Sequence, residues 1–174
     1  MIEGRYPKKN KRGHFMDKNG ITEDVMKTTE TVFKSMVFMD INGTEYPDVI
    51  YIPEKHLTAM VGFAGSYMGL VSIHCSDKFA RIVGGSMLSM DADNLSDEDV
   101  RDALGEIANI IAGQYKARLG EKIQSDEQVF EQSIPSVIYG DDYETHTVTD
   151  APRYCAKFET DYESFYVELA LKRT

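Results

Sequence analysis

Cysteine is scarce in this sequence and widely spaced. Cys75 and Cys155 form no CxxC and no zinc-ligand spacing, which leaves out a disulfide framework and a zinc quartet and reads as reduced thiols. The four histidines, His14, His56, His74 and His146, are scattered, with no Cys or Asp partner at ligand spacing, and none is assigned a role. Positive charge is in deficit: a net charge of −10 and a pI near 4.8 argue against nucleic acid or an anionic membrane as the main partner. No apolar run approaches the ~20 residues that span a bilayer. With no secretory leader recognised, the expectation is a soluble cytoplasmic protein. GxGxxG, Walker A, HExxH and GxSxG are all absent. The acidic pairs Asp141-Asp142 and Asp91/Asp93 could hold a hard cation, but solvated carboxylates in turns are commoner, so no metal site is assigned. Without a nucleophile paired to a base, any catalysis must come from positioning.

A chain of 174 residues fits one domain and can bury a sizeable core without staples. Residues 1–15 contain IEGR, the recognition tetrapeptide of a tag-removing protease, followed by a basic cluster. They read as a tag remnant or a disordered arm, leaving 16–174 as the single domain.

Helical periodicity places a first helix over Thr22–Met39 with Thr22 as its N-cap, and a second from Ser76 or Asp77 to Met90. Asn42-Gly43 reads as a turn, and Glu45–Ile52 as an edge strand interrupted by Pro47. Thr58–Ala64 and Met68–Ile73 form the best strand pair, turned at Gly65-Ser66. Further strands are expected over Gln128–Tyr139, broken at Pro135, then Thr145–Thr149, Arg153–Thr160 and Phe165–Lys172. Strands and helices alternate without a βαβ rhythm, so the fold class is α+β: an antiparallel or mixed sheet packed by about three helices.

The strongest signal is Ser96–Leu119. Ser96 and Asp99 resemble a capping box, Val100, Ala103, Leu104, Ile107, Ala108, Ile111 and Tyr115 give one apolar stripe, and Gly120 suggests the stop. Away from that stripe, Asp102, Glu106, Asn109 and Gly113 fall in one strip, with Glu106 and Asn109 as i,i+3 neighbours able to reach the same object. Gly105 and Gly113 flank them, and each costs roughly 1 kcal/mol relative to alanine inside a helix. Either something approaches this backbone closely, or a solvated face tolerates two glycines; composition does not choose.

Asp102-x3-Glu106-x2-Asn109, with Pro135 some two dozen positions on, resembles the motif of the CheC/CheX/FliY chemotaxis phosphatases. So do EIANIIAGQ (Glu106–Gln114), SIPSVIYG (Ser133–Gly140) and VGFAGSYMGLVSI (Val61–Ile73). CheC-like members resemble two halves with a Glu-x-x-Asn helix in each. Here the first helix offers Glu30-Thr31-Val32-Phe33, with no amide, so the likeness is to the single-site CheX branch. The resemblance implies a phosphatase acting on the aspartyl phosphate of a CheY-like receiver domain. Asn109 would orient the attacking water, and Glu106 would pair with the receiver's lysine. Asp102, Gly105 and Gly113 would meet the partner. No cofactor of its own is implied, since Mg²⁺ would come with the receiver; a homodimer joined through its sheets is implied as well. The competing reading is a switch adaptor that docks a receiver without hydrolysis, which would need no amide at position 109.

Overall fold

The computed structural model describes residues 18–123, 131–145 and 150–174. Three helices pack on a seven-stranded antiparallel sheet. The first helix, α1 (Lys18–Val32), begins four residues before the expected start. Its apolar stripe extends back to Ile21, so Thr22 lies buried inside the helix and is not its cap. It closes in a π-helical turn, Phe33–Val37, and leaves through Phe38, which takes a left-handed backbone conformation.

Asn42-Gly43 proves to be the start of strand β1 (Asn42–Glu45), not a turn, and residues 46–52 carry no strand. Gly43 is required there by close approach: a Cβ would stand 2.7 Å from the Phe158 ring and 2.9 Å from the Met26 side chain. The expected hairpin is present as β2 (His56–Ala64) and β3 (Tyr67–Ser76), with Ala64 opposite Met68. Ser76 caps α2 (Asp77–Leu88), its hydroxyl accepting from the Phe79 N–H at 3.0 Å, and Ser89 ends that helix two residues short of Met90.

The central helix, α3 (Asp97–Ile123), runs past Gly120. Leu119 is buried, Ile123 packs against the core, and Lys122 pairs with Asp24 of α1. Those contacts outweigh the ~1 kcal/mol penalty of the glycine. Its capping box forms as expected: Ser96 Oγ accepts from the Asp99 N–H, and Asp99 Oδ2 accepts from the Ser96 N–H, each at 3.1 Å. Arg81 fastens this end of the helix, donating to Asp77 and the Leu95 carbonyl at 3.0 Å and pairing with Asp97.

The remaining strands are β4 (Glu131–Gln132), β5 (Ser136–Gly140), β6 (Arg153–Glu159) and β7 (Ser164–Arg173). The sheet order is β1-β6-β7-β3-β2, and both β4 and β5 pair with β2 on its other side. Thr145 is not in a strand, and residues 128–130 and 146–149 of the expected strands lie outside the described residues. Every residue of the apolar stripe forecast for α3 is buried. The helix touches α1, α2, β2, β3 and β5, which makes it the hub of the core.

Candidate functional site

Because α3 is walled by the sheet and by both other helices, little of its surface reaches solvent. The strip forecast from sequence is among the parts that stay open, with Ala117 and Glu121 exposed further along the helix. Asp102 and Glu106 are exposed, Asn109 and Gly113 are half-buried, and Gly105 is buried. No hydrogen bond or ion pair within the described residues engages the carboxylate of Glu106.

One flank of the strip is the β4–β5 segment. Gln132 on β4 reaches across to α3, its Nε2 donating to the Asn109 side-chain oxygen at 2.7 Å and to the Asn109 backbone carbonyl at 3.0 Å. Pro135 and Val137 then cover Gly105: a Cβ there would stand 3.4 Å from Pro135 and 3.5 Å from Val137. Something does come close to the helix backbone at Gly105, but it is the chain's own segment. Gly105, expected to meet a partner, is buried beneath Pro135 and Val137. Gly113 stays partly open, with the Gln132 amide oxygen 3.7 Å from where its Cβ would be.

The segment is anchored from the other side. Phe63 of β2 faces Gln132, Ser133 N–H donates to the Gly62 carbonyl at 2.8 Å, and Gly62 N–H donates to Ser133 Oγ at 2.9 Å. Gln132 was not singled out in the sequence. Its place over Asn109 depends on the pairing of β4 with β2, a long-range contact that no local pattern announces. Beside it, Ile134 is 84% exposed.

The two thiols offer no nucleophile. Burial pushes Cys75 well above the ordinary range, and burial with the Glu168 charge pushes Cys155 up to about 12, so both stay protonated. What the strip can supply is a carboxylate in water and, one turn on, a carboxamide held at its oxygen end.

A family model described as "Chemotaxis phosphatase CheX" matches residues 57–159, a stretch that includes the whole strip and its β4–β5 flank. The chain belongs to the CheX chemotaxis phosphatase family. Among solved structures it is similar to the chemotaxis protein CheX of Desulfovibrio desulfuricans, at 28% identity and a TM-score of 0.70, covering 88% of this chain and 99% of that one. CheX from Vibrio vulnificus shares the fold at 20% identity and a TM-score of 0.73, over 94% of this chain and 100% of its own. A complex of CheX with CheY, BeF3 and Mg²⁺ from Borrelia burgdorferi contains a chain that is 23% identical, with a TM-score of 0.70 over 87% of this chain and 97% of that one. No curated protein matches the sequence. As in these CheX structures, the fold is α+β with its helices on one antiparallel sheet.

Proposed function

We propose that this CheX-family chain hydrolyses the aspartyl phosphate of a CheY-like receiver domain, with Asn109 orienting the attacking water and Glu106 fixing the docked partner. The observation that carries the reading is the pairing of an unengaged, exposed Glu106 with half-buried Asn109 one turn later on an open strip of a largely buried helix. The Borrelia burgdorferi complex supports the choice of partner, since a CheX there is held with CheY, BeF3 and Mg²⁺.

An acyl phosphate needs no activated nucleophile; it needs a water held in line with phosphorus. The water oxygen bonds to phosphorus as the bond from phosphorus to the aspartyl oxygen breaks. The aspartate leaves as a carboxylate, and the proton shed by the water passes to the phosphate. A carboxamide suits this step because its oxygen accepts a hydrogen bond from water without taking up the proton. Glu106 would form a charge-assisted pair with the lysine beside the receiver's phosphorylation site, setting how deep Asn109 enters. Asp102, one turn before Glu106, adds negative charge to the same docking face, and Gly113 leaves room beside Asn109. The Mg²⁺ at the phosphate belongs to the receiver.

Asn109→Ala should lower phosphate release from a phosphorylated receiver by about a hundredfold, equivalent to about 2.7 kcal/mol of transition-state stabilisation. Binding should be retained. Release kinetics with the wild-type chain, with the variant and with neither check this: a wild-type rate in the variant would remove the catalytic assignment of Asn109, and no acceleration by the wild-type chain would leave docking without hydrolysis as the reading. A homodimer is part of the same proposal: β1 and β5 each pair on one side only among the described residues, so either could join a second copy by strand addition. Light scattering on the eluted protein measures the mass directly.

A further inference from the structure

We propose that Gln132 is the positioning residue for Asn109, fixing from strand β4 which end of the Asn109 carboxamide is offered to the phosphoryl group. The inference rests on the phosphatase reading above and adds to it a residue that lies outside the acid-x-x-amide motif.

The hydrogen bonds admit one arrangement. The backbone carbonyl of Asn109 can only accept, so the end of Gln132 lying 3.0 Å from it is the NH2 group. The same nitrogen lies 2.7 Å from the Asn109 side chain, so the end of that side chain facing it is the oxygen. Two hydrogens on one nitrogen serve both acceptors and form a clamp. The carboxamide can then no longer turn over by a half rotation about its last bond, a torsion that is otherwise broad and roughly two-fold. Its NH2 faces away from Gln132. Its oxygen keeps a second lone pair for water.

The clamp is stiff because its base is stiff. Gln132 sits opposite Phe63 in the β2–β4 ladder, Ser133 is bonded twice to Gly62, and Pro135 rests on Gly105. A catalytic group held from a second element of secondary structure keeps its geometry better than one held by its own helix alone. Such a clamp also explains why the amide must lie beside this segment. A misplacement of about 1 Å in a positioning site can lower a rate by as much as a hundredfold.

The test uses the full chain and a CheY-like receiver charged with acetyl phosphate. Binding to the same receiver loaded with beryllofluoride and Mg²⁺ is measured in parallel. Gln132→Ala should lower kcat by about tenfold or more with KM and beryllofluoride-receiver binding unchanged. Gln132→Glu should lose as much: it fills the same space, but at neutral pH its carboxylate cannot donate and repels the Asn109 oxygen. If Gln132→Ala does not fold, the Glu variant decides alone. Combined with Asn109→Ala, neither change should slow the enzyme further, because both act through the same amide. In nitrogen-15 spectra the Asn109 side-chain NH2 pair should move and broaden in either Gln132 variant. Unchanged or faster turnover in a folded Gln132 variant, or additive losses in the double variant, overturns the clamp. A wild-type rate in Asn109→Ala overturns the catalytic assignment of Asn109 beneath it, and no acceleration by the wild-type chain overturns the phosphatase reading itself, so the failures are told apart.

Discussion

In α1, Glu30 is followed three residues later by Phe33; in α3, Glu106 is followed three residues later by Asn109. The two acids meet opposite fates. Glu30 is half-buried and accepts the Gly43 N–H at 3.1 Å, tying the helix to β1. Phe33 is fully buried and stacks on Phe165 with ring centroids 4.6 Å apart, while Phe165 in turn lies 5.0 Å from both Phe79 and Phe158. Everything that α1 carries at this spacing is used inside the molecule. On α3 the acid stands in water and the amide is held at one end only. The spacing is therefore not the site. Which face of the helix it falls on, and what the rest of the chain leaves uncovered there, decides whether it can act on another protein.

The sharpest way to break that comparison is to give α1 the missing amide. Phe33→Asn restores Glu-x-x-Asn spacing but places a carboxamide where four aromatic rings meet. It should destabilise the fold by about 4 kcal/mol or more, from the lost ring and the unpaired amide together. Denaturant unfolding measures the loss. A second phosphatase site appearing in this variant would mean that spacing alone suffices.

A comparably large effect comes from the outer face of the sheet, and it bears on how acid should be read at the open strip. His74 is buried, with Nδ1 3.0 Å from the Thr58 hydroxyl, which itself accepts from Tyr143 at 2.9 Å. Burial, then the Arg153 charge and His56, lowers its pKa from 6.5 to about 4. The unfolded chain takes up this proton as pH falls through 6.5, whereas the folded chain resists until about 4. This contribution to stability is intact above 6.5 and erodes between 6.5 and 4, by a total on the order of 3 kcal/mol. Melting temperatures across that window check it, and His74→Gln should flatten the slope. If activity falls in the same range while the melting temperature holds, the loss belongs to the docked site instead.

How much of this was readable from sequence follows the same division between local and long-range causes. The stripe from Val100 to Tyr115, the Ser96 cap and the Gly65-Ser66 hairpin are set by neighbours within a turn or two, and they appear as expected. The strip of Asp102, Glu106 and Asn109 was readable for the same reason. The ends of α1 and α3 were not, because Ile21 and Ile123 extend each helix through tertiary packing that outweighs a capping residue or a glycine. Nor were the roles of Gly105 and Gln132. Both depend on where β4 and β5 lie against β2, and so on contacts between residues far apart in the chain.

The smallest expected effect asks where the open strip ends. Ile134 lies between Gln132, which holds Asn109, and Pro135, which covers Gly105, yet its own side chain is 84% exposed. A large apolar side chain left in water at the edge of a polar strip suits a docking contact that is buried only when the receiver arrives. Ile134→Ala should then weaken receiver binding by about 1 kcal/mol, about fivefold in KM, the scale of burying part of one aliphatic side chain. Because its side chain is largely exposed, the melting temperature should not move, and because it lies outside the reacting groups, kcat should hold. A fall in kcat at constant KM would instead place Ile134 with Gln132 among the residues that set the amide. The boundary between docking and positioning would then run one residue further along the β4–β5 segment.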